Sequence, residues 1–201
     1  MRNKKGLNVL SLFDGMSCGR IALGNAGITI NKYFASEVDP YAIKVSQANY
    51  PDTMHLGDVR FVTAPKDITI DLLIGGSPCQ GFSFASKDRL NFKDPRSKLF
   101  WEFVRILKEC KPKYFLLENV KMKKESMDVI TKALGVKPVF INSSLVSAQN
   151  RQRYYWTNIP FKMPKDRGIM LKDILENGVV DRDKAHCIDA NYFKGGNLKS
   201  Y

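Results

Sequence analysis

Short apolar runs alternate with helix-like stretches along most of this 201-residue chain, and that alternation leaves few folds open. LNVLSL (residues 7–12) reads as a buried strand, and FDGMSCG after it as a turn. Ile21, Ala22, Leu23 and Ala26 suit a helix that stops at Gly27. KYFASEV (32–38) predicts a second strand, and Pro40 opens a second helix at its first turn. DLLIGG (71–76) predicts a strand ending in a glycine pair, followed by a long loop over 77–95 rich in Gly, Ser, Pro and Asn. Leu99, Phe100, Phe103, Val104 and Leu107 form a helical stripe. KYFLLENV (113–120) predicts a strand, 125–134 a short helix, PVFINS (138–143) a strand and RYYWTN (153–158) the last strand. Strands alternating with helices imply an α/β fold with a mostly parallel sheet. Ligands of such sheets sit beyond the carboxyl ends of the strands. Asp14, Glu37, Cys79 and Glu118 all fall there.

After Pro160 the character changes: one short helical stretch near Leu171 to Leu175, then polar and Gly-rich sequence. The expected division is therefore residues 1–160 as one domain and 161–201 as the start of another region. No apolar run approaches the roughly 18 residues of a membrane span. The basic-then-apolar start is cut short by Asp14 and Gly15 without a cleavage site, so the chain reads as an intracellular, cytoplasmic protein. Cys18, Cys79, Cys110 and Cys187 lack the spacing of a zinc knuckle or redox dithiol, and no metal is expected. Small buried apolar residues account for such cysteines, with Cys79 the exception.

The chain carries 32 basic against 20 acidic residues, a net charge of +12. A polyanionic partner is the natural inference, against a passive basic surface. Lys87, Arg89, Lys93, Arg96, Lys98, Arg105, Lys108, Lys111 and Lys113 follow Cys79 with four acidic residues among them, and Lys121, Lys123 and Lys124 continue the run. A positive field surrounding Cys79 favours its thiolate.

Three elements suggest an adenosine-type site. In FDGMSCGR, Gly15 and Gly19 let backbone amides approach a ligand at a helix start, although a tight turn alone explains the same glycines. Glu37, at the end of the second strand, suits ribose hydroxyls and lies 18 residues after Gly19. Asp58 of GDVR can accept from an adenine amino group, or simply form a turn. GGSPCQGFS is more specific. Pro78 holds Ser77 extended and presents Cys79 at a strand-to-loop boundary. Glu118 ends an otherwise apolar strand, where a carboxyl suits acid chemistry or caps a neighbouring helix. Arg151 and Arg153 of QNRQR share a face if extended and suit carbonyl or phosphate contacts.

In this order, FDGMSCGR, GGSPCQGFS, FLLENV and QNRQR resemble the cofactor loop, Pro-Cys catalytic loop, Glu-Asn-Val segment and Gln-x-Arg-x-Arg segment of the DNA cytosine-5 methyltransferase family, over residues 7–160. VLSLFDG, SEVD and GDVR also resemble the vertebrate de novo branch, while the compactness looks more like bacterial or phage enzymes of restriction-modification type. The resemblance implies a Rossmann-like methyltransferase fold with helices on both faces of the sheet. It implies S-adenosyl-L-methionine as methyl donor, S-adenosyl-L-homocysteine as product and double-stranded DNA as partner, hence a nucleoid association. It also implies a flipped cytosine attacked by Cys79, with Glu118 at ring nitrogen 3 and Arg151 or Arg153 at the exocyclic oxygen. By the same resemblance Phe13 packs near adenine, Glu37 binds ribose, and Asp58 with Val59 reads adenine. Asp14, Gly15, Ser17, Cys18, Gly19, Val38, Pro78 and Leu99 complete the implied cofactor site, and Gln80 and Ser83 lie in the family's mobile loop. Other readings the sequence leaves open are a transfer-RNA cytosine methyltransferase and a non-catalytic DNA-binding or regulatory homologue.

Family members continue with a target-recognition region, a further conserved segment and a final helix beside the first motif. ANYFKGGNLKSY resembles sequence that precedes that conserved segment. A shortened chain, a split enzyme with a second polypeptide, or a degenerate homologue are the three expectations. The 201 residues alone are then expected to bind cofactor weakly, to bind DNA without sequence preference and to turn over little.

Overall fold

Strand β1 (Leu7–Leu12) organises the sheet because it is paired on both sides. It runs parallel to β2 (Ile30–Ser36) on one side and to β4 (Leu72–Gly75) on the other. Outside these, β2 carries β3 (Met54–His55) and β4 carries β5 (Tyr114–Val120), both parallel. With β6 (Val139–Asn142) and β7 (Gln152–Thr157) the sheet has seven strands in the order β3-β2-β1-β4-β5-β7-β6. The helices are α1 (Cys18–Asn25), α2 (Pro40–Asn49), α3 (Phe100–Cys110) and α4 (Lys124–Leu134). This computed structural model describes residues 6–65, 67–78 and 97–187. The architecture is the expected α/β, Rossmann-like one, with the order reversing between β1 and β4.

Alternation along the strands builds two buried layers. Leu10, Leu12, Phe34, Leu73, Phe115 and Leu117 face a large cluster with Phe100, Phe103, Val104 and Ile106 of α3 and Ile130 and Leu134 of α4. Val9, Tyr33, Ala35 and Leu72 point the other way, with Leu23 of α1 packed against them. The stripe predicted on α3 is real and gains Ile106. The stripe predicted on α1 is not: Ile21, Ala22 and Ala26 are exposed, Ile21 to 45%, and Leu23 alone of the four packs inward. Cys18 is exposed too, unlike the buried residue expected, whereas Cys110 is half-buried and burial raises its thiol pKa.

Local chemistry explains the element ends. Asp39 caps α2 by accepting from the amides of Tyr41 and Ala42, with Pro40 in the first turn as predicted. Gly135 ends α4 in the left-handed conformation that a glycine adopts without a steric penalty. β2 begins two residues before the predicted start and ends at Ser36, leaving Glu37 just beyond it. The two-residue β3 has no counterpart in the sequence pattern, because two residues show no period.

The described chain divides into two compact units. One runs up to Val139 and includes Tyr154–Ile159; the other comprises Phe140–Arg153 and the chain from Pro160. In the second, Lys184 Nζ donates to the carbonyls of Ser144, Ser147 and Ile169 at 2.8, 3.1 and 2.5 Å. Three acceptors match the three ammonium protons. Ala185 bonds on either side to Ala148 O and Asn150 N, at 2.7 and 2.9 Å. No described helix is long and apolar enough to cross a membrane.

Close packing at Gly75 gives a stability test. A methyl group there would lie 3.0 Å from Leu12 O and 3.1 Å from the Phe103 ring, whereas one at Gly24 in α1 meets nothing within 4 Å. Gly75→Ala is expected to lower the unfolding free energy by about 1–3 kcal/mol. Gly24→Ala is expected to raise it by about 0.5–1 kcal/mol. Urea denaturation of both variants beside the wild type checks the opposite signs.

Candidate functional site

The turn after β1 departs from ordinary backbone geometry three times in five residues. Phe13, Gly15 and Ser17 have φ of 57°, 58° and 63°. Gly15 takes this conformation freely, but Phe13 and Ser17 each cost on the order of 1 kcal/mol. Hydrogen bonds hold the turn in place. Asp14 N donates to Ser36 O at 3.1 Å, and Gly15 N to Glu37 Oε2 at 2.8 Å. The Asp14 carboxylate, 8% exposed, accepts from Ser17 Oγ at 2.5 Å and from Tyr33 OH at 2.7 Å. Burial, and then the Asp14 charge, push the Tyr33 phenol far above its usual range, so it stays a donor. Because the Ser17 hydroxyl is turned inward, it makes no side-chain cap for α1. Gly19 serves packing: a methyl group there would sit 2.5 Å from Ile74 Cδ1.

Glu37, just past β2, is anchored by backbone amides. Its Oε1 accepts from Val38 N at 2.8 Å and Asp39 N at 3.0 Å, while Oε2 holds Gly15. It forms one wall of a cleft of about 400 Å³ lined also by Phe13, Ser36, Val38, Asp58, Val59, Arg60, Pro78 and Leu99. Seven of the residues expected at the cofactor site are thus together: Phe13, Glu37, Val38, Asp58, Val59, Pro78 and Leu99. Asp14, Gly15, Ser17, Cys18 and Gly19 do not line the cleft; the Asp14 and Ser17 side chains are buried behind it. Ser36 and Arg60 were not anticipated. Arg60 was legible only as the residue two after Asp58, and nothing in the sequence marked Ser36, whose hydroxyl donates to Gly57 O at 2.7 Å.

Asp58 caps the 3-10 turn Val59–Phe61 through Arg60 N at 2.9 Å. The Arg60 guanidinium grips the same carboxylate, with Nε at 3.1 and 3.0 Å and Nη2 at 2.5 Å. That pairing holds the Asp58 carboxyl below the usual carboxylate range. An anchored anion beside an apolar floor suits a ligand with hydroxyl and amino donors and a flat ring.

A second group lies at the ends of β4 and β5. Asn119, buried, donates through Nδ2 to Ser77 O at 3.3 Å and Ser77 Oγ at 3.2 Å, which ties the two strand ends together. A methyl group at Gly76 would come within 3.2 Å of Glu118 Oε2, so the glycine makes room for that carboxyl. Cys79, Gln80 and Ser83 lie outside the described residues. Arg151 and Arg153 belong to the other compact unit and are not equivalent. Arg151 is exposed and precedes β7, with Nη1 3.1 Å from Cys187 Sγ and its amide held by Asn142 Oδ1 at 3.0 Å. Arg153 is half-buried within β7, and its Nη1 donates to Gln152 O at 2.9 Å.

A family model described as C-5 cytosine-specific DNA methylase matches residues 7–166. The chain is 36% identical to the orphan methyltransferase M.SPRI of Bacillus phage SPR, over 86% of this chain and 43% of that protein. It is 34% identical to the type II methyltransferase M.NgoBV of Neisseria gonorrhoeae, over 86% and 47%. It is 37% identical to the type II methyltransferase M1.ScrFI of Lactococcus lactis subsp. cremoris, over 87% and 50%. The crystal structure of a protein assigned as a DNA modification methyltransferase encoded within a prophage (E. coli) aligns with a TM-score of 0.63 at 30% identity, over 76% of this chain and 46% of that one. The chain spans about half the length of the curated relatives it matches.

The Asp58–Arg60 pair makes a prediction about pH. A carboxyl depressed in the folded state contributes above its unfolded pKa and loses that contribution as pH falls through the folded value. The Asp58 carboxyl carbon, followed by NMR, is therefore expected to titrate below the ordinary carboxylate range, because Arg60 is bonded to it. In Arg60→Gln the midpoint should move up into that range. An unmoved midpoint would show that the backbone amide alone sets it.

Proposed function

The chain belongs to the C-5 cytosine-specific DNA methylase family, and on that premise we propose that it transfers a methyl group from S-adenosyl-L-methionine to the 5-carbon of cytosine in double-stranded DNA. The observation that carries the reading is the cleft of Phe13, Glu37, Val38, Asp58, Val59, Pro78 and Leu99 at the carboxyl ends of the sheet, on the strand that leads to Cys79. The residues fit the cofactor. Glu37, fixed by three amides, would accept from the ribose hydroxyls; Asp58 would accept from the adenine amino group; Phe13, Val59 and Leu99 would pack on the ring. The bound cofactor supplies an electrophilic methyl group.

The protein's own residues do the rest. Cytosine is a poor nucleophile at carbon 5, so the ring must first be charged with electrons. The Cys79 thiolate attacks carbon 6; a carbon–sulfur bond forms and the ring's electron pair shifts toward carbon 5. Glu118 holds a proton at ring nitrogen 3, which withdraws density as the thiolate adds. A guanidinium of Arg151 or Arg153 holds the exocyclic oxygen and stabilises developing charge. After carbon 5 is methylated, a base removes its proton, the electrons return to the ring, and the carbon–sulfur bond breaks to release Cys79. Ser77, held by Asn119, fixes the chain just beyond β4, two residues before Cys79 in the sequence.

Transfer of tritiated methyl from S-adenosyl-L-methionine to mixed-sequence duplex DNA tests the proposal. The chain is supplied alone and together with a polypeptide carrying the segments its relatives have beyond it, with transfer RNA as a parallel substrate. DNA labelling that disappears in Cys79→Ala is the expected result, with a persistent adduct on 5-fluorocytosine DNA. Labelling of the RNA alone would move the substrate class, and an adduct that survives Cys79→Ala would remove the nucleophile.

Binding gives an independent measurement. Cations that neutralise phosphates release counterions, so DNA affinity should fall steeply with salt. Reversing Lys93, Arg96 and Lys98 should weaken binding to every sequence alike and flatten the salt dependence, by about 0.9 in log–log slope for each phosphate no longer neutralised. An unchanged slope in filter-binding titrations would place the DNA on another face.

A further inference from the structure

Arg105, in the middle of α3, does not line the cleft and yet holds one of its walls. Its guanidinium reaches off the helix, and Nη2 donates to the Val59 carbonyl at 3.1 Å. The other donors are engaged on α3 itself: Nε donates to Glu102 Oε2 at 2.7 Å and Nη1 to Glu109 Oε1 at 2.8 Å. These are i,i+3 and i,i+4 neighbours, so both carboxylates stand on the same helix face as Arg105. Ion pairs this exposed contribute little to stability. What they do is fix the plane of a rigid fork whose N–H groups point in set directions. With Nε and Nη1 engaged, Nη2 is left aimed at Val59.

The turn that Arg105 holds needs an anchor. Val59–Phe61 is a single 3-10 turn, closed by Phe61 N to Asp58 O at 3.0 Å and by Val62 N to Val59 O at 3.3 Å. The second bond is long, and hydrogen-bond geometry in a 3-10 turn is poor to begin with. A carbonyl oxygen has two lone pairs, and Arg105 supplies the second donor to Val59 O. The Val59 side chain, buried in the large core cluster, pins the same residue from its apolar side. Leu99, at the start of α3, lines the cleft with Val59. The helix therefore meets the cleft twice, directly through Leu99 and through Arg105 by way of Val59.

We infer that Arg105 is a positioning residue for base discrimination: by holding the Val59 carbonyl from α3, it keeps the Asp58 carboxylate where the cleft tells an amino group from an oxygen on the ligand's purine. This rests on the cofactor reading above and adds what sets its selectivity. The two arginines divide the work. Arg60 orients the carboxylate within the turn, while Arg105 fixes the turn against α3. Glu37 hangs from the amides of Gly15, Val38 and Asp39, none of them on this turn. A loosened Val59 should therefore be felt at the base rather than at the sugar.

Two ligands isolate the base: S-adenosyl-L-homocysteine, and S-inosyl-L-homocysteine, in which an oxygen replaces the adenine amino group. Calorimetric titration of the 201-residue chain and its variants, each checked by its thermal unfolding midpoint, supplies the test. The wild type should prefer the adenine ligand by about tenfold or more, the worth of one hydrogen bond to a charged group. Arg105→Met should cut that preference by about fivefold, the worth of an ordinary hydrogen bond, and should leave the affinity for the inosine ligand within about twofold. Arg105→Lys, which keeps the charge and loses the fork, should move the preference the same way and decides by the same criterion if Arg105→Met does not fold. A double Glu102→Gln and Glu109→Gln variant removes the ion pairs but leaves oxygens that accept from the guanidinium, so its preference should stay near that of the wild type. Equal weakening of both ligands in Arg105→Met, or of neither, overturns the inference and leaves Arg105 as a structural residue. An equal loss of preference in the double glutamine variant overturns it too, because the charge on α3 would then be the cause. A wild type that binds neither ligand brings down the cofactor reading itself, and the inference with it.

Discussion

Parallel pairing of β1 on both of its edges is the constraint on which the rest depends. Parallel neighbours bring the carboxyl ends of β1, β2 and β4 to one edge of the sheet, so the turns that follow them must crowd together there. Their connections cross to opposite faces, because one flank of β1 is reached through α1 and the other by the later β4. A crevice opens where the directions part. Phe13, Glu37 and Pro78 each lie one to three residues past a strand end, and all three line the same cleft. The site is therefore a consequence of topology, and side-chain chemistry decides only what it can hold.

The glycine pair that ends β4 shows how the sheet and the chemistry compete for space. Gly75 is filled from both sides, by the Leu12 carbonyl and the Phe103 ring, and so belongs to the core. Gly76, one residue on, leaves room for the Glu118 carboxyl. Side chains alternate along a strand, so neighbouring positions serve different neighbours: one glycine lets α3 close on the sheet and the next lets a carboxyl stand beside the strand end. Asn119 faces away from Glu118 on β5 and ties down Ser77. Two adjacent residues of β5 thus bear on the two residues that follow β4, Gly76 and Ser77.

Much of this could be read from the residues. β1, β5, α2 with its Pro40 start, and the Phe100–Phe103–Val104 stripe all emerged from period and capping, because each is long enough or punctuated enough to show a pattern. Phe13, Glu37, Asp58 and Pro78, singled out from ordered motifs, line one cleft just past the ends of strands. What failed had physical causes. The apolar spacing in α1 suggested a buried stripe, but a helix resting on the sheet through Leu23 and Gly19 needs only a narrow contact. β3 was too short to show alternation. Arg60 escaped notice because an i,i+2 pair meets only in the tight geometry of a 3-10 turn, which the GDVR sequence does not advertise. Arg151 and Arg153 were expected on one face, but β7 begins between them, so the alternation rule does not connect them.

The strained turn explains why a polar network sits where a core would be cheaper. Two non-glycine residues in the left-handed region cost roughly 1 kcal/mol or more each, and glycine at either place would remove that cost. Glycine would also remove the phenyl ring that faces the cleft at Phe13 and the hydroxyl that joins Asp14 to Ser46 at Ser17. The chain keeps the side chains and supports the backbone instead. A buried carboxylate with two hydroxyl donors offsets the strain, since hydrogen bonds to a charged group contribute about 1.5–3 kcal/mol each. Such a bond persists only while the donor keeps its proton, and burial of Tyr33 ensures that over the whole physiological range. The same burial makes the arrangement all-or-none: no water replaces a missing hydroxyl cheaply in a closed apolar layer. A turn set in this way is stiff before any ligand arrives, so ligand binding need not bear the cost of ordering it.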